Sequence, residues 1–183
     1  IILKASEETP GTCIAIARCF VDAGLPSGVL NLVFGKPANI SEYLLASPII
    51  KKVSFTGSVP IGKHIQKLAA ETMKRCTLEL GGHSPFIVFK DTDVKKTAKS
   101  AAQGKFRNAG QVCVSPTRFY IQESIYQEFI EAFVDQTKKI KVGNGIREET
   151  TMGPVLAERR LTVMEDIVSD AVDKGAEVLT GGK

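Results

Sequence analysis

The sequence predicts an α/β fold with a largely parallel sheet, because strand and helix patterns alternate along a chain of ordinary globular composition. Short apolar runs, such as VLNLVFG (29–35) and KKVSFTG (51–57), alternate with helical patterns along the chain, which is typical of parallel sheets. The composition is that of an ordinary globular protein, since 43% of the 183 residues are hydrophobic and 24% are charged. The chain also contains no repeats and no low-complexity segment.

The first half of the chain reads as strands that alternate with helices. Its opening residues, IILKASEE, begin inside a strand. Thr9 and Pro10 then mark a helix start, because proline is favoured at the first helical position. That helix ends near Ala23, before Gly24 and Pro26. The next predicted elements are a strand at 29–35, a helix at 38–46, a strand at 51–57, a helix at 59–73 and a strand at 76–82.

The second half continues the alternation, with strands at 86–89 and 118–122 and helices at 94–105 and 158–174. Ser124 is predicted to cap a further helix, with Gln127 completing a capping box. The apolar stripe of this helix consists of Ile125, Phe129, Ile130, Phe133 and Ile140. A last strand is predicted within AEVLT (176–180), and the GGHSP turn (81–85) is the best internal boundary.

Charge and cysteine content exclude several classes of partner. The net charge of +4 is mild and forms no basic stripe, so we expect no nucleic-acid partner. No apolar run approaches the roughly 20 residues that span a bilayer, and no signal peptide opens the chain, so we expect no membrane partner. The four cysteines form no C-x-x-C pair and only two histidines are present, which predicts no zinc site. Unpaired cysteines without an export signal favour the cytoplasm.

The segment FTGSVPIGKH (55–64) resembles a phosphate loop that lacks one hydroxyl. Gly57 and Gly62 have the required spacing and a lysine follows, but His64 occupies the position of the Ser or Thr that would hold Mg²⁺. The segment follows a strand and opens a helix, so Ser58 as N-cap and the helix N-terminus could meet an anion. A dinucleotide pyrophosphate is favoured, and a P-loop-like nucleotide binder is the remote alternative.

Cys113 is the candidate nucleophile. Small and polar residues flank it in NAGQVCVSPTR, which favours an exposed turn where a thiol can react. The alternative is a buried, inert cysteine, which is the commonest fate of a free thiol. Cys13, Cys19 and Cys76 lie within helix or strand patterns, and for these three we predict the core position.

Glu79 and Arg107 are the other candidate functional residues. Glu79 interrupts the apolar run TLELGG, where a desolvated carboxylate would suit general-base work; the alternative is simple alternation, with Glu79 on a solvent face. Arg107 precedes Cys113 by six residues and could bind an anionic substrate group or pair with a neighbouring acid. Arg118 is interpreted as structural, and the two histidines receive no role.

Taken together, these motifs resemble the aldehyde dehydrogenase superfamily, along essentially the whole chain. The matching stretches, in order, are KASEETP (4–10), AGLPSGVLNLV (23–33), FTGSVPIGK (55–63), LELGGHSPFIV (78–88), NAGQVC (108–113) and MGP (152–154). The resemblance implies an internal fragment of a longer enzyme, built from Rossmann-like parallel-sheet pieces. Residues 1–82 would be the C-terminal part of the NAD-binding domain and residues 83–183 the N-terminal part of the catalytic domain.

The resemblance also implies the chemistry of oxidation. Cys113 resembles the nucleophile that forms a thiohemiacetal with the aldehyde and, after hydride transfer, a thioester. Glu79 resembles the general base for hydrolysis of that thioester. The backbone N–H of Cys113 would supply half of the oxyanion hole.

For the cofactor, Lys4 and Glu7 resemble the pair that holds the adenosine ribose. A carboxylate at Glu7 favours NAD over NADP, because it accepts from a 2′-hydroxyl and repels a 2′-phosphate. The remaining implied cofactor positions are Gly35 beside the adenine, Gly57 and Ser58 at the pyrophosphate, and Thr56 and Leu80 near the nicotinamide.

The stretch KFRNAGQVC resembles the succinate-semialdehyde dehydrogenase branch, in which Arg107 would bind the substrate carboxylate. Glutarate and 2-oxoglutarate semialdehydes stay open. Ser115 replaces a second cysteine often found in that branch, so no local disulfide switch is expected. The resemblance implies a small-molecule aldehyde substrate and a homo-oligomeric parent, a dimer or tetramer. The chain alone is expected to be inactive; a non-catalytic dinucleotide-binding or structural fragment is the alternative function.

Overall fold

The computed structural model describes residues 1–182 and divides into two compact units, Ile1–Leu80 and a second that begins at Gly81. Six strands within the described residues form three two-stranded sheets, and each pair is parallel. The predicted α/β class with parallel pairing is therefore confirmed. The assignment of the two halves to a cofactor domain and a catalytic domain stays a prediction.

The first unit alternates strand and helix from its start to its end. Its strands are β1 (Ile2–Lys4), β2 (Asn31–Val33), β3 (Lys52–Gly57) and β4 (Arg75–Leu80), and its helices are α1 (Pro10–Asp22), α2 (Pro37–Ala46) and α3 (Val59–Glu71). Strand β1 pairs with β2, and β3 pairs with β4 from Lys52 opposite Arg75 to Gly57 opposite Leu80. Every predicted element of this half is present, with ends shifted by a few residues.

Helix α3 packs on β3 and β4 through a stripe of small and apolar residues. Gly62, Ile65 and Ala69 are its buried residues, and their spacing places them on one helical face. A Cβ at Gly62 would come within 2.6 Å of Leu80 Cδ2, so only glycine allows this close approach of helix to strand. The glycine therefore holds the start of α3 directly against the end of β4.

Helix α3 ends in a Schellman motif whose left-handed residue is not glycine. Met73 has φ +52° and is 89% exposed, while the N–H of Lys74 donates to Ala69 O at 2.9 Å. We expect Met73→Gly to raise the free energy of unfolding by about 0.5–1 kcal/mol, because relief of the left-handed strain exceeds the added chain entropy. Urea unfolding measures this change. Met73→Ala is the control, and a glycine variant no more stable than the alanine variant would contradict the expectation.

The second unit is built around one hydrophobic core. Its elements are β5 (Pro85–Val88), α4 (Val94–Phe106), β6 (Arg118–Ile121), α5 (Tyr126–Lys138) and α6 (Glu158–Asp173). Strand β5 pairs with β6, and α4 packs closely on α5. Ala98 and Ala101 of α4 are fully buried, and these small side chains leave room for Phe129 of α5. The ring of Phe133 lies 5.4 Å from that of Phe119, which joins α5 to β6.

The predicted capping box at the start of α5 is wrong. A short 3-10 turn, Glu123–Ile125, precedes the helix, so the N-cap position falls on Ile125 and not on Ser124. The Gln127 side chain instead donates to Glu131 Oε1 at 2.9 Å, one turn further along the helix. The helix therefore begins one residue later than the capping pattern predicted.

Two further expectations about this half are wrong. Residues 176–180 form no strand, since no strand within the described residues pairs with them. Ile140 lies beyond the end of α5 and cannot continue its apolar stripe. Along residues 1–182, no helix combines the length and apolar character that crossing a membrane requires.

Candidate active site

Cys113 lies at the tip of a turn that follows α4. The helix ends at Phe106, a short turn with non-helical backbone angles spans Arg107–Gly110, and the chain then turns again around Cys113. The cysteine is exposed, and so is its neighbour Val114, whereas Ser115 is only 4% exposed. The turn thus buries its trailing end and presents the thiol outward, as the polar flanks predicted.

The backbone before Cys113 takes an uncommon conformation. Asn108, Ala109 and Gly110 have φ values of +52°, +55° and +74°, three left-handed residues in succession. Non-glycine residues in this region store roughly 1–3 kcal/mol each and persist only where the surroundings impose them. Gly110 suits its place, because glycine adopts a φ of +74° without the steric cost that a side chain brings.

Hydrogen bonds on both sides hold the Cys113 turn. On the leading side, Gln111 N donates to Asn108 O at 3.1 Å. On the trailing side, Ser115 Oγ donates to Lys105 O at 3.2 Å and Ser115 N donates to Val112 O at 3.0 Å. The backbone N–H of Cys113 finds no acceptor within residues 1–182, so it is available to an incoming oxyanion.

The GGHSP turn lies beside the cysteine turn. A Cβ at Gly82 would be 3.9 Å from Cys113 O. The Thr117 hydroxyl donates to His83 O at 2.7 Å and lies 3.0 Å from His83 Nδ1. A hydroxyl carries a single hydrogen, so His83 Nδ1 must be the donor in the second contact. The sequence assigned no role to His83. In the structure its hydrogen bonds connect this turn to Thr117, the residue that precedes β6.

Glu79 lies on the exposed face of β4. Burial alternates along the strand, with Cys76, Leu78 and Leu80 half-buried and Glu79 exposed. This is the alternative in which Glu79 lies on the solvent face. In the parallel ladder Glu79 stands opposite Thr56, and Leu80 stands opposite Gly57. The structure thus gathers four of the candidate residues at the carboxyl ends of β3 and β4. The role of Glu79 as a base stays a prediction.

The other three cysteines differ from one another. Cys13 and Cys76 are half-buried, and burial raises the pKa of the Cys76 thiol. Cys19 is exposed, so its predicted core position is wrong. The reason is that α1 has no buried residue at all, and its helical pattern therefore says nothing about burial in this chain.

The segment 55–64 does not form a phosphate loop. Strand β3 ends at Gly57, Ser58 is the N-cap, and α3 begins at Val59, so a single residue separates strand from helix. Gly62 lies inside the helix, and its N–H donates to Ser58 O at 2.9 Å. A phosphate loop needs several loop amides that surround the anion. The P-loop alternative is therefore wrong.

The same helix start does suit a diphosphate. The Ser58 side chain makes no capping hydrogen bond, and within residues 1–182 the amides of Val59 and Ile61 find no acceptor. A free hydroxyl and free amides at a helix N-terminus are the groups that bind phosphate oxygens. A Cβ at Gly57 would collide with Phe55 Cζ, so glycine at this position leaves room for the Phe55 ring.

Lys4 and Glu7 form an ion pair after β1. Lys4 Nζ donates to Glu7 Oε2 at 2.7 Å, and this hydrogen bond holds the pKa of the Glu7 carboxyl below its usual value. The carboxylate is therefore ionised at neutral pH and can accept from a hydroxyl. Gly35 follows β2 with φ +143°, and a Cβ there would lie 3.3 Å from Ile40 Cδ1. The roles of these residues beside the adenosine of a dinucleotide stay predictions.

Arg107 is exposed at the end of α4, on the loop that leads to Cys113. Among the described residues its guanidinium has no acidic partner, so the alternative of a structural ion pair lacks support. No group of three or more His, Cys, Asp or Glu side chains within residues 1–182 is arranged to hold a metal ion.

Gln111 is a residue whose importance the sequence did not indicate. Its side chain bonds both Asn108 and Leu156, and Leu156 lies 45 positions beyond Gln111 in the chain. Gln111 stands in the quoted motif NAGQVC, but nothing in the local pattern identifies its distant partner. The composition of the motif is the one signal that could have drawn attention to it.

Comparison with known proteins identifies the family. Residues 1–183 match the sequence profile of the aldehyde dehydrogenase family. The chain is 48% identical over 176 residues to the 4-(hydroxymethyl)benzenesulfonate dehydrogenase TsaD1 of Comamonas testosteroni, covering 96% of this chain and 37% of that protein. It is 39% identical over 183 residues to the NADP(+) succinate-semialdehyde dehydrogenase GabD of Escherichia coli, covering all of this chain and 38% of that protein.

A solved structure agrees with these sequence relatives. The succinate-semialdehyde dehydrogenase of Burkholderia pseudomallei superposes with a TM-score of 0.97 at 40% identity, over all of this chain and 38% of that one. The chain belongs to the aldehyde dehydrogenase family, which confirms the resemblance. It spans little more than a third of the length of these relatives.

Proposed function

We propose that the protein oxidises an aldehyde to a carboxylic acid, with a nicotinamide dinucleotide as the hydride acceptor. The observation that carries this proposal is the Cys113 turn, which is held on both sides and presents an exposed thiol with an unoccupied amide. An exposed nucleophile next to a free N–H donor is the minimum that acyl chemistry needs. Membership of the aldehyde dehydrogenase family supports the same reaction.

The residues of this chain account for the main steps. Cys113 Sγ attacks the carbonyl carbon, and the resulting oxyanion accepts a hydrogen bond from the Cys113 amide. A bound nicotinamide ring would supply the acceptor for the hydride that leaves this carbon as the thioester forms. Glu79 then removes a proton from water, which attacks the thioester and releases the acid and the Cys113 thiolate. Two electrons leave the aldehyde, and one water oxygen enters the product.

NAD is the cofactor that we propose. The ionised Glu7 carboxylate can accept from a ribose 2′-hydroxyl and repels a 2′-phosphate. Lys4 holds Glu7 in place, and Ser58 with the first amides of α3 offers donors to the diphosphate. The relative from Escherichia coli is named for NADP(+), so both cofactors belong in every assay. No step of the proposal depends on a metal.

An anionic aldehyde is the substrate class that we propose, with succinate semialdehyde as its representative. Arg107 has no acidic partner among the described residues and lies six positions before the nucleophile. Succinate semialdehyde, in the names of two similar proteins, carries a carboxylate, and the benzenesulfonate in the name of a third carries a sulfonate. A guanidinium binds either anion through paired hydrogen bonds.

The experiment compares charged and uncharged aldehydes in the whole protein that contains this chain. We expect Arg107→Ala to lower kcat/KM for succinate semialdehyde by about 10- to 150-fold, the value of a lost charge-assisted hydrogen bond. Butanal, which has the same carbon chain without the carboxylate, should lose less than about twofold. Formation of the reduced cofactor is the measurement. An assay with 4-formylbenzenesulfonate shows which anion the site prefers.

Two variants serve as controls for this experiment. Arg118→Ala removes the same charge from an exposed position in β6 and should leave the ratio of the two substrates unchanged. Arg107→Lys keeps the charge but loses the paired geometry, and should fall between the alanine variant and the wild type. Equal losses on both aldehydes in Arg107→Ala would exclude Arg107 as the anion site.

The 183-residue chain by itself is proposed to turn over slowly or not at all. It spans 37–38% of the length of its relatives, so most of the residues of a complete member of the family lie outside it. Removal of one oxyanion donor alone typically lowers kcat by about 10²- to 10³-fold.

A further inference from the structure

We infer that Gln111 is a positioning residue that fixes the Cys113 nucleophile to a distant part of the second unit. This inference rests on the proposed role of Cys113. Its basis is a pair of hydrogen bonds that use both ends of one side-chain amide. Gln111 Nε2 donates to Asn108 O at 3.0 Å, and Gln111 Oε1 accepts from Leu156 N at 2.9 Å.

The chemistry of the two partners fixes the orientation of this amide. The Leu156 N–H can only donate, and the Asn108 carbonyl can only accept, so the oxygen must face the first and the nitrogen the second. A glutamate here would keep the acceptor but place an oxygen against the Asn108 carbonyl. An apolar side chain would lose both bonds. Among side chains of this length and shape, glutamine is the one that fits.

The bond to Asn108 acts on the strained part of the turn. Asn108 O accepts from both Gln111 N at 3.1 Å and Gln111 Nε2, and Asn108 Nδ2 donates to Gln111 O at 3.3 Å. These three bonds close the ends of the left-handed run at residues 108–110. Val112 N then donates to Gly110 O at 2.9 Å, so the backbone is held up to the residue before Cys113.

The bond to Leu156 ties the turn to a segment that is itself held. Residues 151–152 pair with 141–143, since Thr151 N and Met152 N donate to Lys141 O and Gly143 N donates to Met152 O. Leu156 lies four residues beyond this pairing, so its bond to Gln111 ties the cysteine turn to the chain close to the paired segment. Without Gln111 the leading side of the cysteine turn keeps only bonds to its own neighbours, and a shift of about 1 Å in a reacting group can lower the rate by about 10²-fold.

Gln111→Glu in the whole protein is the test, with Gln103→Glu as the matched control. Gln103 is exposed on α4, so the control changes the charge equally without touching the turn. We expect Gln111→Glu to lower kcat by about 10- to 100-fold while KM for aldehyde and cofactor changes less than about threefold. Iodoacetamide alkylation of Cys113, followed by peptide mass spectrometry, should show a slower rate and an altered pH profile. Gln103→Glu should match the wild type in both.

Gln111→Met provides a second variant, since it keeps the length of the side chain and adds no charge. It should show the same loss of kcat and the same slower alkylation. Both Gln111 variants with wild-type kcat and alkylation profile would overturn the inference. So would a lower melting temperature with an unchanged alkylation profile, because that is the signature of a structural role. Cys113→Ala separates the two proposals: if that variant still turns over, the proposed function itself fails.

Discussion

Replacement of Cys113 by alanine is expected to lower aldehyde oxidation by at least about 10⁴-fold, as loss of a nucleophile does in other covalent enzymes. In the proposed mechanism the thiolate bonds to the carbon that then loses hydride, and no other exposed thiol of the described residues stands in a turn held on both sides. Cys113→Ser should fail almost as completely, because a hydroxyl without an adjacent base is a weak nucleophile. Formation of reduced cofactor in the whole protein measures the loss.

Cys19→Ala is the matched control for this prediction. Cys19 is exposed, like Cys113, but it lies on the regular helix α1. Its removal should leave kcat within about twofold of the wild type. Alkylation followed by peptide mapping should label Cys113 faster than Cys19. A Cys113→Ala variant within tenfold of wild-type activity would sink the covalent mechanism.

Glu79→Gln is expected to separate the two halves of the reaction. In the proposed order of steps hydride leaves before Glu79 acts as base, so the first turnover should still release about one equivalent of reduced cofactor per site. The steady-state rate should fall by about 10²- to 10⁴-fold, because water is no longer deprotonated. Rapid-mixing kinetics measure both phases, and intact-protein mass spectrometry should detect the acyl group that accumulates on Cys113.

Glu42→Gln is the control for Glu79→Gln, since it makes the same change at an exposed position on α2. It should leave both kinetic phases unchanged. Loss of the first turnover in Glu79→Gln would show that the carboxylate acts before hydride transfer. Unchanged steady-state turnover would remove Glu79 from the mechanism altogether.

Most of the fold could be predicted from local signals in the sequence, such as residues that begin or end helices. Pro10 opens α1 and Gly24 lies just past its end, while the alternating run at 51–57 becomes β3, which ends at the predicted residue. The failures share a different cause. The N-cap of α5 depends on a 3-10 turn that shifts the phase by one residue, and a strand at 176–180 depends on a partner strand. Neither is encoded in the segment itself.

The candidate site divides in the same way. The exposure of Cys113 follows from its small and polar neighbours, and the exposure of Glu79 follows from alternation along β4. The bond from Gln111 to Leu156 joins residues 45 positions apart, and the bond from His83 to Thr117 joins residues 34 positions apart. Contacts between residues so far apart in the sequence depend on how the chain folds back, and no local pattern of residue types predicts them.

The contact between Gly62 and Leu80 also connects the start of α3 to the end of β4 within the first unit. The amides that we propose for the diphosphate stand at the front of α3, and Glu79 is bonded directly to Leu80. Because Gly62 has no side chain, the backbone of α3 packs directly on the Leu80 side chain at the end of β4. We therefore expect the start of the helix and the end of the strand to move together. In the proposed mechanism, a dinucleotide bound at the front of α3 would therefore also hold the backbone next to Glu79.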